Sequence, residues 1–259
     1  MIGIFDSGYG GLSVQKAVMQ LMPNTPIVYF ADHQYCPYGR KSKEELIERA
    51  FFIVDALIEQ GAQLIIVACN TATAAAIDTL REKYDIPFVG MEPAIKPAAL
   101  ASTSKKVGVL ATEGTFSGKL FKQTKEKFAQ GVEVIIQEGV GLVELVEKGL
   151  MGTYKAHQVL YPIIAKMKAH RVDHLVLGCT HYPFLKDDIQ KMLGDKVRLI
   201  DPSPAVAQQA QRLYQKDESK PEIKKYYRFI TSGLKVKEYR RNILQLLQLD
   251  EENTLFMYE

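Results

Sequence analysis

Leu64-Ile65-Ile66-Val67-Ala68-Cys69-Asn70-Thr71 is the stretch that decides the fold class. An apolar run rich in β-branched residues, without polar alternation, reads as a strand buried on both faces. It passes through a small residue and a cysteine to a polar pair, and helical periodicity then takes over from Ala72 to Lys83. His174-Leu175-Val176-Leu177-Gly178-Cys179-Thr180-His181 repeats the pattern: buried strand, small residue, cysteine, polar pair, start of a helix. A cysteine at the carboxyl end of such a strand lies where open α/β sheets bind their ligands. Near a helix N-terminus, N–H groups and the helix dipole favour its thiolate.

Outward from these two stretches the alternation continues. Short apolar runs occur at Ile2–Phe5, Ile27–Phe30, Phe88–Gly90, Val107–Leu110, Val132–Ile136 and Val197–Ile200. Between them lie amphipathic segments at Lys43–Glu59, Phe116–Phe128, Tyr154–Ala169 and Ala205–Tyr214. In Lys43–Glu59, Leu46, Ile47, Ala50, Ile53, Val54 and Leu57 recur at steps of three and four and form one apolar stripe. The fold class is therefore α/β, with mostly parallel sheets flanked by helices. Breaks near residues 93–105, with Pro93, Pro97 and the polar run Ser102–Lys106, and at Asp201-Pro202-Ser203-Pro204 mark candidate boundaries. The polar stretch Lys216–Lys225 precedes an expected strand at Tyr226–Thr231 and a helix at Lys235–Leu247.

Bulk properties narrow the function. The chain has 259 residues, 47% hydrophobic and 24% charged, with a formal charge of +3. So small an excess predicts no nucleic-acid or membrane partner. Three cysteines, Cys36, Cys69 and Cys179, are too few for a disulfide framework and suit a reducing, cytoplasmic setting. The opening Met1-Ile2-Gly3-Ile4-Phe5 has no basic region of a secretory signal, and Leu64–Ile77 is too short and too polar to span a bilayer.

Each candidate site residue has a bland alternative. A free cysteine is most often a small buried hydrophobe, and Cys36, in Gln34-Tyr35-Cys36-Pro37-Tyr38, keeps that reading. Cys69 and Cys179 are set apart by their matching strand-end contexts and polar flanks. Asp6-Ser7-Gly8-Tyr9-Gly10-Gly11 is a strand-to-helix turn that lacks dinucleotide-loop spacing and the phosphate-loop lysine, yet its Asp-Ser pair suits an ammonium and a carboxylate. Pro37-Tyr38-Gly39-Arg40-Lys41 is a loop before a helix capped by Ser42. His181, two residues beyond Cys179, fits a thiol hydrolase as well as a proton-transfer site. The absence of C-x-x-C or H-x-x-x-H pairs argues against zinc. Glu144 and Glu147 sit on a short, mostly apolar helix where either can be a plain surface charge.

Taken in order, these stretches resemble the glutamate racemases of the aspartate/glutamate racemase superfamily over nearly the whole chain. The resemblance is carried by Ile4–Ser13, Pro37-Tyr38-Gly39, Val67–Thr73, Gly90-Met91-Glu92-Pro93-Ala94 and Leu177–Pro183. It implies two similar α/β domains, residues 1–92 with 207–259 and residues 93–206, and an active site in the cleft between them. It also implies that Cys69 and Cys179 transfer protons and that Asp6, Ser7, Tyr38, Gly39, Asn70, Thr71, Thr180 and His181 contact the substrate. Glu147 is the best match to the family's acidic residue on the second cysteine's side. Some members carry an N-terminal extension tied to activation by a cell-wall precursor. This chain opens on its first strand, so that control is not part of the expectation. The resemblance further implies no cofactor, no metal, a homodimer, and D-glutamate for peptidoglycan as the product.

The chemistry explains the residue types. Enantiomers are equal in free energy, so a base must take the α-proton from one face while an acid supplies another to the opposite face. Thiols suit both roles, because their ordinary pKa of about 8.5 can be drawn toward neutrality. Asp6 is expected to assist Cys69, and His181 with Glu147 to assist Cys179. The competing readings are an aspartate racemase, a thiol hydrolase built on Cys179 and His181, and a non-catalytic binder on the same fold.

Overall fold

The computed structural model describes residues 1–92, 94–214, 226–233, 236–249 and 254–258. The chain divides into two compact units, Met1–Met91 with Ser203–Glu259, and Glu92–Pro202.

The first unit begins with β1 (Ile2–Asp6), α1 (Leu12–Leu21), β2 (Ile27–Ala31), α2 (Lys43–Glu59), β3 (Leu64–Val67), α3 (Asn70–Lys83) and β4 (Phe88–Gly90). The second contains α4 (Ile95–Ala101), β5 (Lys106–Ala111), α5 (Glu113–Ser117), α6 (Lys119–Phe128), β6 (Glu133–Glu138), α7 (Leu142–Glu147), α8 (Tyr154–His170), β7 (His174–Gly178), α9 (Lys186–Leu193) and β8 (Arg198–Ile200). The chain then returns to the first unit with α10 (Ser203–Leu213), β9 (Tyr227–Thr231), α11 (Val236–Leu247) and β10 (Thr254–Tyr258).

The strand order is β10-β9-β2-β1-β3-β4 in the first sheet and β6-β5-β7-β8 in the second. Every pairing among the described residues is parallel. Read from its first strand, the second sheet repeats the arrangement of β2-β1-β3-β4, so β7 is the counterpart of β3. The echo between the two cysteine stretches is thus a repeat of position in the sheet.

In the first unit, Phe5, Val28, Phe30, Ile65 and Val67 face one side of the sheet and pack with Leu46, Ala50, Ile53, Val54 and Leu57 of α2 and Ala72, Ala76 and Leu80 of α3. Burying each large aliphatic chain contributes roughly 1.5–3 kcal/mol before entropy is counted. Helix α2 starts as expected at Ser42, whose hydroxyl accepts from the Glu45 N–H while Glu45 accepts from the Ser42 N–H. In the second unit Val107, Val109 and Val176 form a core with Ile95, Ala98 and Phe121.

Four local expectations change. The helix expected over Phe116–Phe128 is two helices, because Gly118 is extended (φ −63°, ψ 143°) between α5 and α6. Pro97 does not end the ordered structure: it lies in the first turn of α4, where a missing N–H costs little. The second crossing lies at Ser203, before the expected residue 207, because α10 packs as one piece on α1. Strand β10 extends the first sheet beyond the expected strands. Pro93, Lys216–Lys225 and Lys235 lie outside the described residues.

Candidate active site

In both sheets the strand order reverses beside the first strand, between β1 and β3 and between β5 and β7. Crevices at such reversals, outside the carboxyl ends of the strands, are where open α/β sheets hold ligands. Cys69 follows β3 and Cys179 follows β7, so each thiol occupies that point in its own unit. Both are buried and free of disulfides.

Cys69 is the N-cap of α3, and its sulfur accepts from the Ala72 N–H at 3.5 Å. The position combines exposed N–H groups with the positive end of a 14-residue helix, both of which favour a thiolate. Thr73 fixes the helix start by donating to the Val67 carbonyl (3.0 Å) and accepting from the Met91 N–H (3.0 Å). Asn70 is only 4% exposed, yet neither its Oδ1 nor its Nδ2 has a hydrogen-bond partner among the described residues. A buried amide left so is costly unless another molecule supplies the bonds. Thr71, next in the helix, is also buried.

Asp6 ends β1. Its Oδ1 accepts from the Gly8 N–H at 2.9 Å, while the Tyr29 hydroxyl donates to the Gly8 carbonyl at 2.7 Å. These bonds fold the loop so that Ser7 is buried beside it. The loop turns tightly at Gly11, where a Cβ would sit 2.7 Å from the Asp6 Cβ and 2.8 Å from the Tyr29 hydroxyl.

Tyr38 and Gly39 lie on a single 3₁₀ turn, Tyr38–Arg40. The sequence reading missed what holds that turn in place. Asp32, fully buried after β2, accepts from the Tyr38 hydroxyl (2.6 Å), the Ser232 hydroxyl (2.7 Å) and Arg49 through Nε (3.0 Å) and Nη2 (2.8 Å). Burial, then the charge and hydrogen bond of Asp32, push the Tyr38 phenol well above its ordinary value, so it stays a donor. The Arg49 guanidinium also stacks on the Tyr35 and Phe52 rings, 4.2 and 4.5 Å from their centroids. One signal was available: Asp32 follows β2 directly, and Asp6 and Cys69 likewise lie at or just past the carboxyl end of a strand.

Cys179 has other neighbours. The expected helix after it is a 3₁₀ turn, Tyr182–Leu185, that contains Pro183, so no α-helix N-terminus meets this sulfur. Its partner is the buried His181, whose Nδ1 lies 3.7 Å from Sγ. The other ring nitrogen, Nε2, lies 2.7 Å from Oε1 of Glu147 at the end of α7. Burial opposes charge on the ring, but the bonds and charges of Cys179 and Glu147 outweigh it and hold His181 well above the ordinary imidazole value. Glu147, rather than Glu144, is therefore the carboxylate on this histidine. Thr180 is buried between the two site residues.

The chain is similar to known racemases in both sequence and fold. The Asp/Glu/Hydantoin racemase family model matches residues 12–210. A glutamate racemase of Ectopseudomonas mendocina is 48% identical over 213 residues, covering 82% of this chain and 81% of that protein. The crystal structure of Escherichia coli glutamate racemase in complex with L-glutamate and the activator UDP-MurNAc-ala is 34% identical, with a TM-score of 0.85 over 98% of this chain and 96% of that one. The Francisella tularensis enzyme in complex with D-glutamate is 29% identical, with a TM-score of 0.83 over 99% of this chain and 96% of that one. The chain belongs to the Asp/Glu/Hydantoin racemase family and, within it, to the glutamate racemases.

Proposed function

We propose that this protein racemises glutamate without a cofactor, Cys69 and Cys179 alternating as thiolate base and thiol acid. The observation that carries the reading is a buried thiol at the strand-order reversal of each sheet, each supplied with groups that favour its thiolate. In one direction the thiolate of one cysteine takes the α-proton and becomes a thiol. The other cysteine gives its proton to the opposite face of the carbanion and becomes a thiolate. The reverse reaction exchanges the roles, and no proton is gained or lost overall.

Asp6 assists Cys69 in this reading, and the His181–Glu147 pair assists Cys179. Ser7, Tyr38, Gly39, Asn70, Thr71, Thr180 and His181 contact the substrate. The unpaired Asn70 amide supports such a role, because a carboxylate and an ammonium would complete its bonds. Fixed dipoles in a dry site must stabilise the carbanion, since no electron sink is invoked. D-Glutamate for peptidoglycan is the product, made by a cytoplasmic homodimer. Among the described residues no helix is long and apolar enough to cross a membrane.

The test is incubation with L-glutamate in deuterated water without added cofactor. The circular dichroism of the amino acid should decay to zero while deuterium enters at the α-carbon. Turnover only after pyridoxal phosphate is supplied would overturn the mechanism, and faster turnover of aspartate would overturn the substrate. A Cys69→Ser variant that retained full activity would point instead to a thiol hydrolase at Cys179 and His181.

A further inference from the structure

Tyr9 stands two residues beyond Ser7 in the loop after β1, and the two-thiol reading gives it no task, although it is only 2% exposed. Its ring meets that of His33 edge-on, with centroids 4.5 Å apart, and stacks on Tyr239 of α11 at 5.9 Å. Packing alone asks only for the ring. The hydroxyl has a partner of its own: it accepts from Nδ2 of Asn242, three residues beyond Tyr239 on α11, at 3.1 Å.

The two rings that receive Tyr9 are themselves tied to the end of β9. The Tyr239 hydroxyl donates to the Ile230 carbonyl at 2.9 Å, and Nδ1 of His33 lies 2.8 Å from the Thr231 hydroxyl. Ser232 follows and donates to Asp32, which accepts from Tyr38. The segment from β9 to α11 thus braces the loops after both β1 and β2. From residue 8 to residue 11 the sequence is Gly-Tyr-Gly-Gly, so the Tyr9 side chain is the one handle by which that stretch can be fixed to another element. A second bond, from the Tyr29 hydroxyl, holds the Gly8 carbonyl.

We propose that Tyr9, held by Asn242, is a positioning residue for Asp6 and Ser7. Groups that meet a substrate work best when their place is set before it arrives, because the entropy of ordering them is then lost on folding and not on binding. The bonds at Gly8 and Tyr9 fix the loop just past Ser7, while β1 fixes it just before Asp6. The inference rests on the reading that Asp6 and Ser7 contact the substrate.

The test is steady-state racemisation of L- and D-glutamate by Tyr9→Phe, Asn242→Leu and the double variant. Each single variant should raise KM for both enantiomers by roughly threefold to tenfold, with kcat within about twofold, because the loop is then ordered only on binding. The double variant should match the single ones, since all three lack the same bond. An unchanged KM, even with a lower melting temperature, overturns the proposal, and so do rises that multiply in the double variant. Ser7→Ala tests the reading beneath it. A KM unchanged in Ser7→Ala sinks the substrate contact and the inference together, whereas a KM raised there but not in the Tyr9 and Asn242 variants sinks the inference alone. Should Tyr9→Phe not fold, Asn242→Leu at its half-buried position carries the test with the same outcomes.

Discussion

The carboxyl ends of β3 and β7 occupy equivalent places in sheets of the same order, and each carries a buried cysteine, yet what surrounds the two sulfurs differs. Cys69 caps a 14-residue helix, and its sulfur accepts from a backbone N–H, a group that does not titrate. Cys179 precedes a 3₁₀ turn and has beside it the side chain of His181, which in turn meets Glu147. Pro183 is one reason for the difference: its counterpart in α3 is Thr73, whose N–H donates to the Cys69 carbonyl at 2.8 Å, and a proline has no N–H with which to close that first helical bond. If both thiols act as proposed, one has a helix N-terminus beside it and the other an imidazole–carboxylate pair. The second arrangement makes its half of the molecule the more sensitive to pH.

Four measurements would break or sharpen that contrast. The largest effect belongs to the sulfurs themselves. Cys69→Ser and Cys179→Ser should each lower racemisation by about 10²–10⁴-fold, followed by circular dichroism of L-glutamate, because both the base and the acid are required. A variant near wild-type activity would remove that cysteine from the comparison.

Stability is the next scale. Asp32→Ala leaves the Arg49 guanidinium, 17% exposed, without its carboxylate and frees the Tyr38 and Ser232 hydroxyls. The expected loss is about 3 kcal/mol, measured by urea unfolding, with the Cys69 half more affected than the Cys179 half. A loss of less than about 1 kcal/mol would mean that this buried cluster does not hold the Tyr38 turn.

The pH dependence should sit with Cys179. Because His181 is raised on folding, its stabilisation is complete below the unfolded imidazole value and is lost as pH climbs through the folded one. Glu147→Gln should therefore lower stability by about 1–3 kcal/mol below the unfolded imidazole value, and the gap to wild type should narrow as pH rises through the elevated folded value. Thermal unfolding across that range checks the sign, and a gap that widened with pH would contradict the assignment of an imidazolium here.

Smallest is the change at the base of α3. Thr73→Val removes the bonds to Val67 and Met91 and should cost about 1–2 kcal/mol in urea unfolding. With glutamate bearing chloride on its β-carbon, where loss of the α-proton expels chloride and one thiolate suffices, elimination from the enantiomer that needs Cys69 should fall while that from the enantiomer that needs Cys179 stays level. Equal effects would show that the two thiols are not set independently.

The comparison also marks how far the residues could be read in order. The apolar runs and the stripe on α2 announced parallel strands with covering helices, because buried strands lack alternation and helices repeat every 3.6 residues. The cysteines were legible for the same reason: strand, small residue, thiol and polar pair are contiguous. Glu147 was harder to choose over Glu144, since both lie on α7 and only the loop geometry brings one carboxylate to His181. The Asp32 cluster was missed altogether, because it joins residues 32, 38, 49 and 232 through contacts that leave no local pattern.

Chain order alone determined the α/β class, the two thiols and their polar neighbours, since each is written in a few successive residues. Tertiary structure decided which carboxylate meets which base, what pins Tyr38, and that one cysteine has a helix dipole while the other has a histidine. Periodicity reports which way a side chain points along its own element. Partnership across elements depends on strand order and loop path, which set distances that no spacing in the sequence encodes.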